Sequence, residues 1–335
     1  MIDTIYVERE AREHPRAQRI LERFSHATVI ECERYGEVFN RTSQNFRLQK
    51  QAPALILAKK FDNFVLPTPE GYGVGGHHNY YFSHMLNCLY DCRYCFLQGM
   101  YRSANYLLFV NYEDFQSSMS ETMQSHPHGE PVYFFSGYDC DSLALENVSD
   151  FATDFIPFMR ENPTAFMELR TKSVNIKSLL SVEPTDNCIV AFSMIPDTVA
   201  RALEHGAAPV RSRIAAMEKL VKAGWHIGLR FDPLVYHEDY KETYRELFSD
   251  VFQALDRDFV HSVSFGPLRF PPAMFEKIKK LYPKERLFAG PLEKGPQMVS
   301  YSKAIEDEMA DYCREELARF IPDSKFFACT PGGPG

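Results

Sequence analysis

From His78 onward the chain repeats one alternation six times: a short apolar or aromatic run with strand character, then a stretch with helical spacing. The strand-like runs are His78–Leu86, Pro131–Gly137, Ala165–Lys172, Cys188–Ile195, His226–Leu234 and His261–Leu268. The helical patterns are a short one after residue 96, then Asn147–Arg160, Val174–Leu180, Pro209–Ala223, Tyr240–Leu255 and Pro272–Leu281. In Pro209–Ala223, Ile214, Met217, Leu220 and Val221 recur at helical spacing, and Gly224 lies just past the end. Strands that alternate with helices are joined by crossovers and therefore lie parallel. The pattern predicts an α/β chain built on an open (β/α)6 partial barrel.

The expected organisation is an N-terminal extension (1–76) packed on the barrel (77–283), then a C-terminal extension (284–335). The N-terminal part holds an amphipathic helix from about Pro15, with Ala17, Ile20, Leu21 and Phe24 on one face, and a strand-like Ala27–Cys32. The C-terminal part holds a Gly- and Pro-containing loop that could contact substrate, a helix over Lys303–Phe320, a strand Lys325–Cys329 and a disordered tail from Thr330. Gly71, Gly73 and Gly76 match a dinucleotide-binding spacing, but a Pro-rich stretch precedes them and an aromatic strand follows, so that reading is rejected.

Parallel α/β barrels carry their sites at the C-terminal strand ends. At that edge the sequence places Cys88-Leu-Tyr-Asp-Cys92-Arg-Tyr-Cys95 after the first strand and Ser136-Gly-Tyr-Asp-Cys140-Asp-Ser142 after the second. Lys172-Ser173 end the third strand, Ser193 sits on the fourth, and Arg230-Phe-Asp232-Pro233 ends the fifth. The C-x3-C-x2-C triple presents three soft thiolates to one small object. A [4Fe–4S] cluster with one iron left open to a small molecule fits that compact spacing. A Cys3His zinc site that borrows His84 is the other reading, although zinc modules usually separate two chelating knuckles by a dozen or more residues. Metal content distinguishes them.

Eight cysteines, three in one motif, fit metal chemistry in a reducing compartment better than a disulfide framework. The N-terminus lacks a basic segment followed by an apolar one, and no apolar run is long enough to span a bilayer, so a cytoplasmic enzyme without membrane contact is expected. A net charge of −8 excludes wholesale basic nucleic-acid binding. It leaves room for a local groove, with Lys59, Lys60, Arg93, Arg102, Arg211, Arg213, Arg230 and Arg269 as candidates.

The triple is similar to the signature of radical S-adenosylmethionine (SAM) enzymes, which share this open barrel. Over most of its length the chain resembles the spore photoproduct lyase family. The resemblance is carried by Ile5-Tyr-Val-Glu-Arg-Glu-Ala, Cys92-Arg-Tyr-Cys95-Phe-Leu-Gln98, Val110-Asn-Tyr-Glu-Asp114, Leu169-Arg-Thr-Lys172, Ala223-Gly-Trp-His-Ile-Gly228, Pro233-Leu-Val-Tyr-His-Glu238 and Arg269-Phe near Tyr282-Pro-Lys. It implies a carbon–carbon lyase for DNA repair that reverses a spore-type thymine dimer through a 5′-deoxyadenosyl radical. By position, Cys88, Cys92 and Cys95 would hold the cluster. Ser142, Lys172 and Ser193 would contact SAM, Cys140 would give hydrogen to the product radical, and Tyr94 would relay hydrogen. The implied partners are DNA containing the dimer and an electron donor such as flavodoxin or ferredoxin.

Three positions depart from the family pattern. Phe96 stands where many members have a second tyrosine, Asp232 where a small residue is usual, and no Arg-Tyr pair occurs between Lys284 and Lys303. A radical SAM paralogue acting on another nucleic acid or nucleotide is therefore the alternative within enzymes. A non-catalytic, zinc-stabilised nucleic-acid-binding protein is the alternative outside them.

Overall fold

The alternating units curl into an open half-barrel. In the computed structural model, which describes residues 2–69 and 71–328, its strands are His78–Phe82, Val132–Ser136, Ala165–Thr171, Cys188–Ser193, His226–Leu234 and Val260–Pro267. Each is parallel to the next. Leu66–Pro67 adds antiparallel to the first strand and Phe326–Ala328 adds parallel to the sixth, so the eight-stranded sheet keeps two edges and does not close. The fourth strand reads Cys-Ile-Val-Ala-Phe-Ser, and all six residues are buried. Helices cover one face of the sheet while the barrel contents cover the other, which explains a continuous apolar run.

The N-terminal residues build a second sheet, ordered Thr28–Cys32, Thr4–Glu8, Leu55–Ala58, Tyr106–Phe109, Met85–Leu86. The run expected as one strand, His78–Leu86, is thus divided between the two sheets. Ile5, Val7, Leu55, Leu57 and Leu108 form a core under the second sheet that extends to Cys140, whereas Cys92 and Tyr94 belong to the barrel core. The two cores meet where the cysteines lie.

Several expectations need correction. Val174–Leu180 is not an α-helix; only a 3-10 turn, Leu179–Ser181, forms there. Thr171 Oγ1 accepts from the Ser173 amide, Ser173 Oγ from the Asn175 amide, and Asn175 Nδ2 donates to the Ala144 carbonyl. Such local bonds compete with a helical ladder. The short helical pattern after the cysteines resolves into Leu97–Met100, a buried strand Tyr106–Phe109 and a 13-residue helix, Tyr112–Gln124, whose Tyr112, Phe115 and Met119 face inward. A helix Asp197–Leu203 precedes a two-residue strand that sequence reasoning did not find. Arg213 and Arg230, counted among candidate groove cations, are buried and paired with Glu204 and Glu168.

The C-terminal strand covers Phe326–Ala328; Cys329 and the tail from Thr330 lie outside the described residues. Among the described residues no helix is long and apolar enough to cross a membrane.

Candidate active site

A cavity of about 620 Å³ opens at the C-terminal ends of the barrel strands. That volume suits a cofactor together with a substrate fragment. Cys88, Cys92 and Cys95 lie on its wall, with Tyr94, Cys140, Lys172 and Ser193. Sequence reasoning brought these together from four strand ends. Ser142 stands behind the wall: its buried hydroxyl pairs with Ser136 Oγ at 2.7 Å, and Ser136, which the sequence did not single out, lines the cavity.

The cysteine loop is braced from several sides. Lys50 Nζ donates to the Cys88 and Tyr90 carbonyls at 2.9 and 3.3 Å. Asn87, in a left-handed conformation, donates to the Ser103 and Asn105 carbonyls. Tyr282 bridges Asp91 and Gln98 through its hydroxyl, and the Arg93 guanidinium lies 3.9 Å over its ring. Asp91–Cys92 also pairs antiparallel with Glu204–His205. A loop held this way is organised before any ligand arrives.

The donor set bears on the two metal readings. His84, the histidine of the zinc reading, is buried and stacked on Phe151 with centroids 3.7 Å apart. Among the described residues no three His, Cys, Asp or Glu side chains are gathered around one ion-sized point. A tetrahedral zinc site needs such a gathering. A cubane cluster does not, because each thiolate bonds a different iron and the sulfurs stay further apart. The three thiols are free and could hold a cluster. Burial pushes the Cys88 thiol up to about 12 and raises Cys92 and Cys95 as well. The bare thiols are therefore protonated near neutrality, and metal uptake releases their protons.

Cys140 also lines the cavity. It is buried, and burial first, then Cys88 and Asp139, pushes its thiol well above the usual value. Gly137 permits the loop that carries it. Its φ is +83°, and a Cβ there would lie 2.7 Å from Ser142 Oγ and 3.0 Å from the Arg170 carbonyl oxygen. Asp141 fastens the other end, accepting from the Leu143 amide at 3.0 Å, Thr171 Oγ1 at 2.7 Å and the Lys172 amide at 2.6 Å.

Comparison with known proteins places this geometry. The family model for spore photoproduct lyase matches residues 1–326. The chain belongs to the spore photoproduct lyase family. Spore photoproduct lyase of Bacillus subtilis strain 168 is 26% identical, with 96% of each chain covered. That of Geobacillus sp. strain Y412MC61 is 21% identical, again with 96% of each covered. A solved structure of a spore photoproduct lyase variant with bound SAM and dinucleoside spore photoproduct superposes with a TM-score of 0.82 at 20% identity, covering 98% of each chain. A spore photoproduct lyase complexed with dinucleoside spore photoproduct matches at the same identity and coverage. Enzymes of this family belong to the radical SAM superfamily.

Against the family pattern, Phe96 lines the cavity with its ring 5.8 Å from that of Tyr138. Asp232 also lies on the wall, 3.5 Å from both Arg170 and Arg269. The C-terminal hairpin pairs Leu292–Lys294 with Val299–Tyr301 and contributes Met298 to the cavity. Tyr301 is buried, and its hydroxyl accepts from the Tyr236 amide at 3.0 Å.

Proposed function

We propose that the chain is a SAM-dependent radical lyase that reverses a spore-type thymine photoproduct in DNA. The observation that carries this reading is the meeting of the three-cysteine loop and Cys140 on one cavity in a chain of this family. Cys88, Cys92 and Cys95 would hold a [4Fe–4S] cluster, and Lys172 and Ser193 would line the SAM subsite, with Ser142 acting from behind through Ser136. When bound, the reduced cluster supplies the electron that splits SAM and so starts radical chemistry on the lesion.

The proposed role of Cys140 rests on its place in the cavity beside the cysteine loop. Its buried thiol keeps its proton at neutral pH, so an S–H bond is present when a carbon radical forms on the repaired base. Transfer of that hydrogen atom breaks S–H, forms C–H and leaves a thiyl radical on Cys140. Tyr94 is the relay candidate, and its phenol donates to Glu204. Phe96 has no O–H to give, so any further relay runs without it. An external one-electron donor of flavodoxin or ferredoxin type completes the reaction.

Incubation of the anoxic, reduced protein with SAM and irradiated thymidine dinucleotide should return unmodified thymidine dinucleotide. SAM cleavage without repair of that dimer would overturn the substrate assignment. It would favour another nucleic-acid substrate, a reading to which Asp232 on the cavity wall and the absent Arg-Tyr pair lend support.

A further inference from the structure

The cysteine loop and the third and fourth strand ends form different walls of one cavity. A pair of buried side chains outside that cavity reaches all three. Glu204 follows the helix Asp197–Leu203, and Arg213 lies on the helix Val210–Lys222. Their side chains are each 1% exposed and neither lines the cavity.

Glu204 accepts from the Tyr94 hydroxyl, pairs with Arg213, and lies 3.9 Å from Lys172 Nζ. Its backbone sits opposite Cys92 in the two-residue ladder, and the Arg93 amide donates to the Leu203 carbonyl at 2.8 Å. Arg213 Nη1 in turn donates to the Ser193 carbonyl at 3.0 Å, and its Nε to the Ala208 carbonyl at 2.8 Å. One ion pair therefore touches the cysteine loop at Tyr94, the third strand end at Lys172 and the fourth at Ser193.

A buried charge pair is rarely retained for stability alone, because desolvation offsets most of its attraction. Here each partner also bonds to a residue of the cavity wall, Glu204 to Tyr94 and Arg213 to Ser193. We propose that Glu204 and Arg213 are positioning residues for the SAM subsite, fixing Lys172 and Ser193 relative to the cysteine loop. This inference rests on the radical SAM reading of the cavity. Residues that orient ligating groups from behind typically change affinity or activity about 10- to 100-fold when replaced.

The test uses the cluster-loaded protein, kept oxidised so that no turnover occurs. The double variant E204Q/R213Q removes both charges at once, which avoids an unpaired buried ion. E204D keeps the charge on a shorter stem. Iron per chain is measured first, and SAM affinity then follows from equilibrium dialysis.

The expected result is unchanged iron, a SAM Kd raised about 10- to 100-fold in the double variant, and a smaller increase in E204D. A double variant with full iron and a Kd within about twofold of the parent would overturn the proposal. So would loss of iron, which would make the pair a brace of the cysteine loop only. A parent protein that loads iron but binds no SAM would instead refute the functional reading itself, and this inference with it.

Discussion

Replacing Glu168 with Gln removes one charge from the wall of the cavity, and the structure sets the size of the effect. Glu168 and Arg230 are 5% and 2% exposed, and the carboxylate takes Arg230 Nε at 3.2 Å and Nη2 at 2.6 Å. Arg230 also donates to the Leu229 carbonyl and to the carbonyl and hydroxyl of Ser262. Breaking a buried pair from one side costs about 3–5 kcal/mol, because the other charge stays buried. Gln keeps one acceptor and Ser262 still serves the guanidinium, so the lower figure, about 3 kcal/mol, applies.

That loss corresponds to a fall in Tm of about 6–12 °C by the scaling for domains of 150–250 residues, and toward the low end for a longer chain. E168Q/R230M removes both charges and should melt well above the temperature expected from the sum of the two single changes. Burial works to raise the Glu168 pKa, but Arg230 outweighs it and holds the carboxyl below its usual range. The stabilisation is therefore complete above the unfolded value of about 4.3 and lost as pH falls through the lower folded value. Thermal melts followed by circular dichroism, from pH 7 downward, read both effects. A single variant within 2 °C of the parent, or a double variant equal to the sum of the singles, would refute the reasoning (differences of about 1 kcal/mol).

Three further outcomes follow from the same geometry. His84 is buried, and burial drives its pKa down to about 3; the unfolded chain takes up the proton near pH 6.5. Its contribution to stability is complete above about 6.5 and declines by up to about 1.4 kcal/mol per pH unit as pH falls toward the folded value. H84F, which keeps the stack on Phe151, should flatten that acid slope, and an unchanged slope in urea titrations would contradict it. G137A forces a left-handed residue against Ser142 and the Arg170 carbonyl, so a loss of about 1–3 kcal/mol is expected, read as a lower urea midpoint. C140A should still cleave SAM but divert the product radical into adducts with the reductant; mass spectrometry showing an unchanged product distribution would remove the hydrogen-donor role.

The barrel was legible because its signal is periodic and local. His226–Leu234 is a strand over the expected residues, and Pro272–Leu281 is a helix over the expected residues. Val174–Leu180 misled because Ser173 and Asn175 bond locally to the backbone, which apolar spacing does not register. Tyr106–Phe109 was missed because its partner, Leu55–Ala58, lies far away in sequence. In the site, the cysteine spacing and the strand-end rule put Cys88, Cys92, Cys95, Cys140, Lys172 and Ser193 on one cavity. Ser142 differs because the turn at Gly137 directs its hydroxyl to Ser136. Glu204 carried no readable signal, and Arg213 was read only as a candidate groove cation. Each is an ordinary charged residue near a surface helix, and only the ladder between Glu204 and Cys92 reveals that the chain folds inward there.

The central claim is that the three thiols of one loop hold a cubane cluster with one iron free for SAM. Electron paramagnetic resonance of the anoxically reconstituted, reduced protein, before and after SAM addition, tests it most directly. A [4Fe–4S]⁺ signal that changes on SAM addition, accompanied by about four irons per chain and lost in C88A, C92A and C95A, is the expected result. Zinc in the loop, or an iron signal indifferent to SAM, would contradict the account.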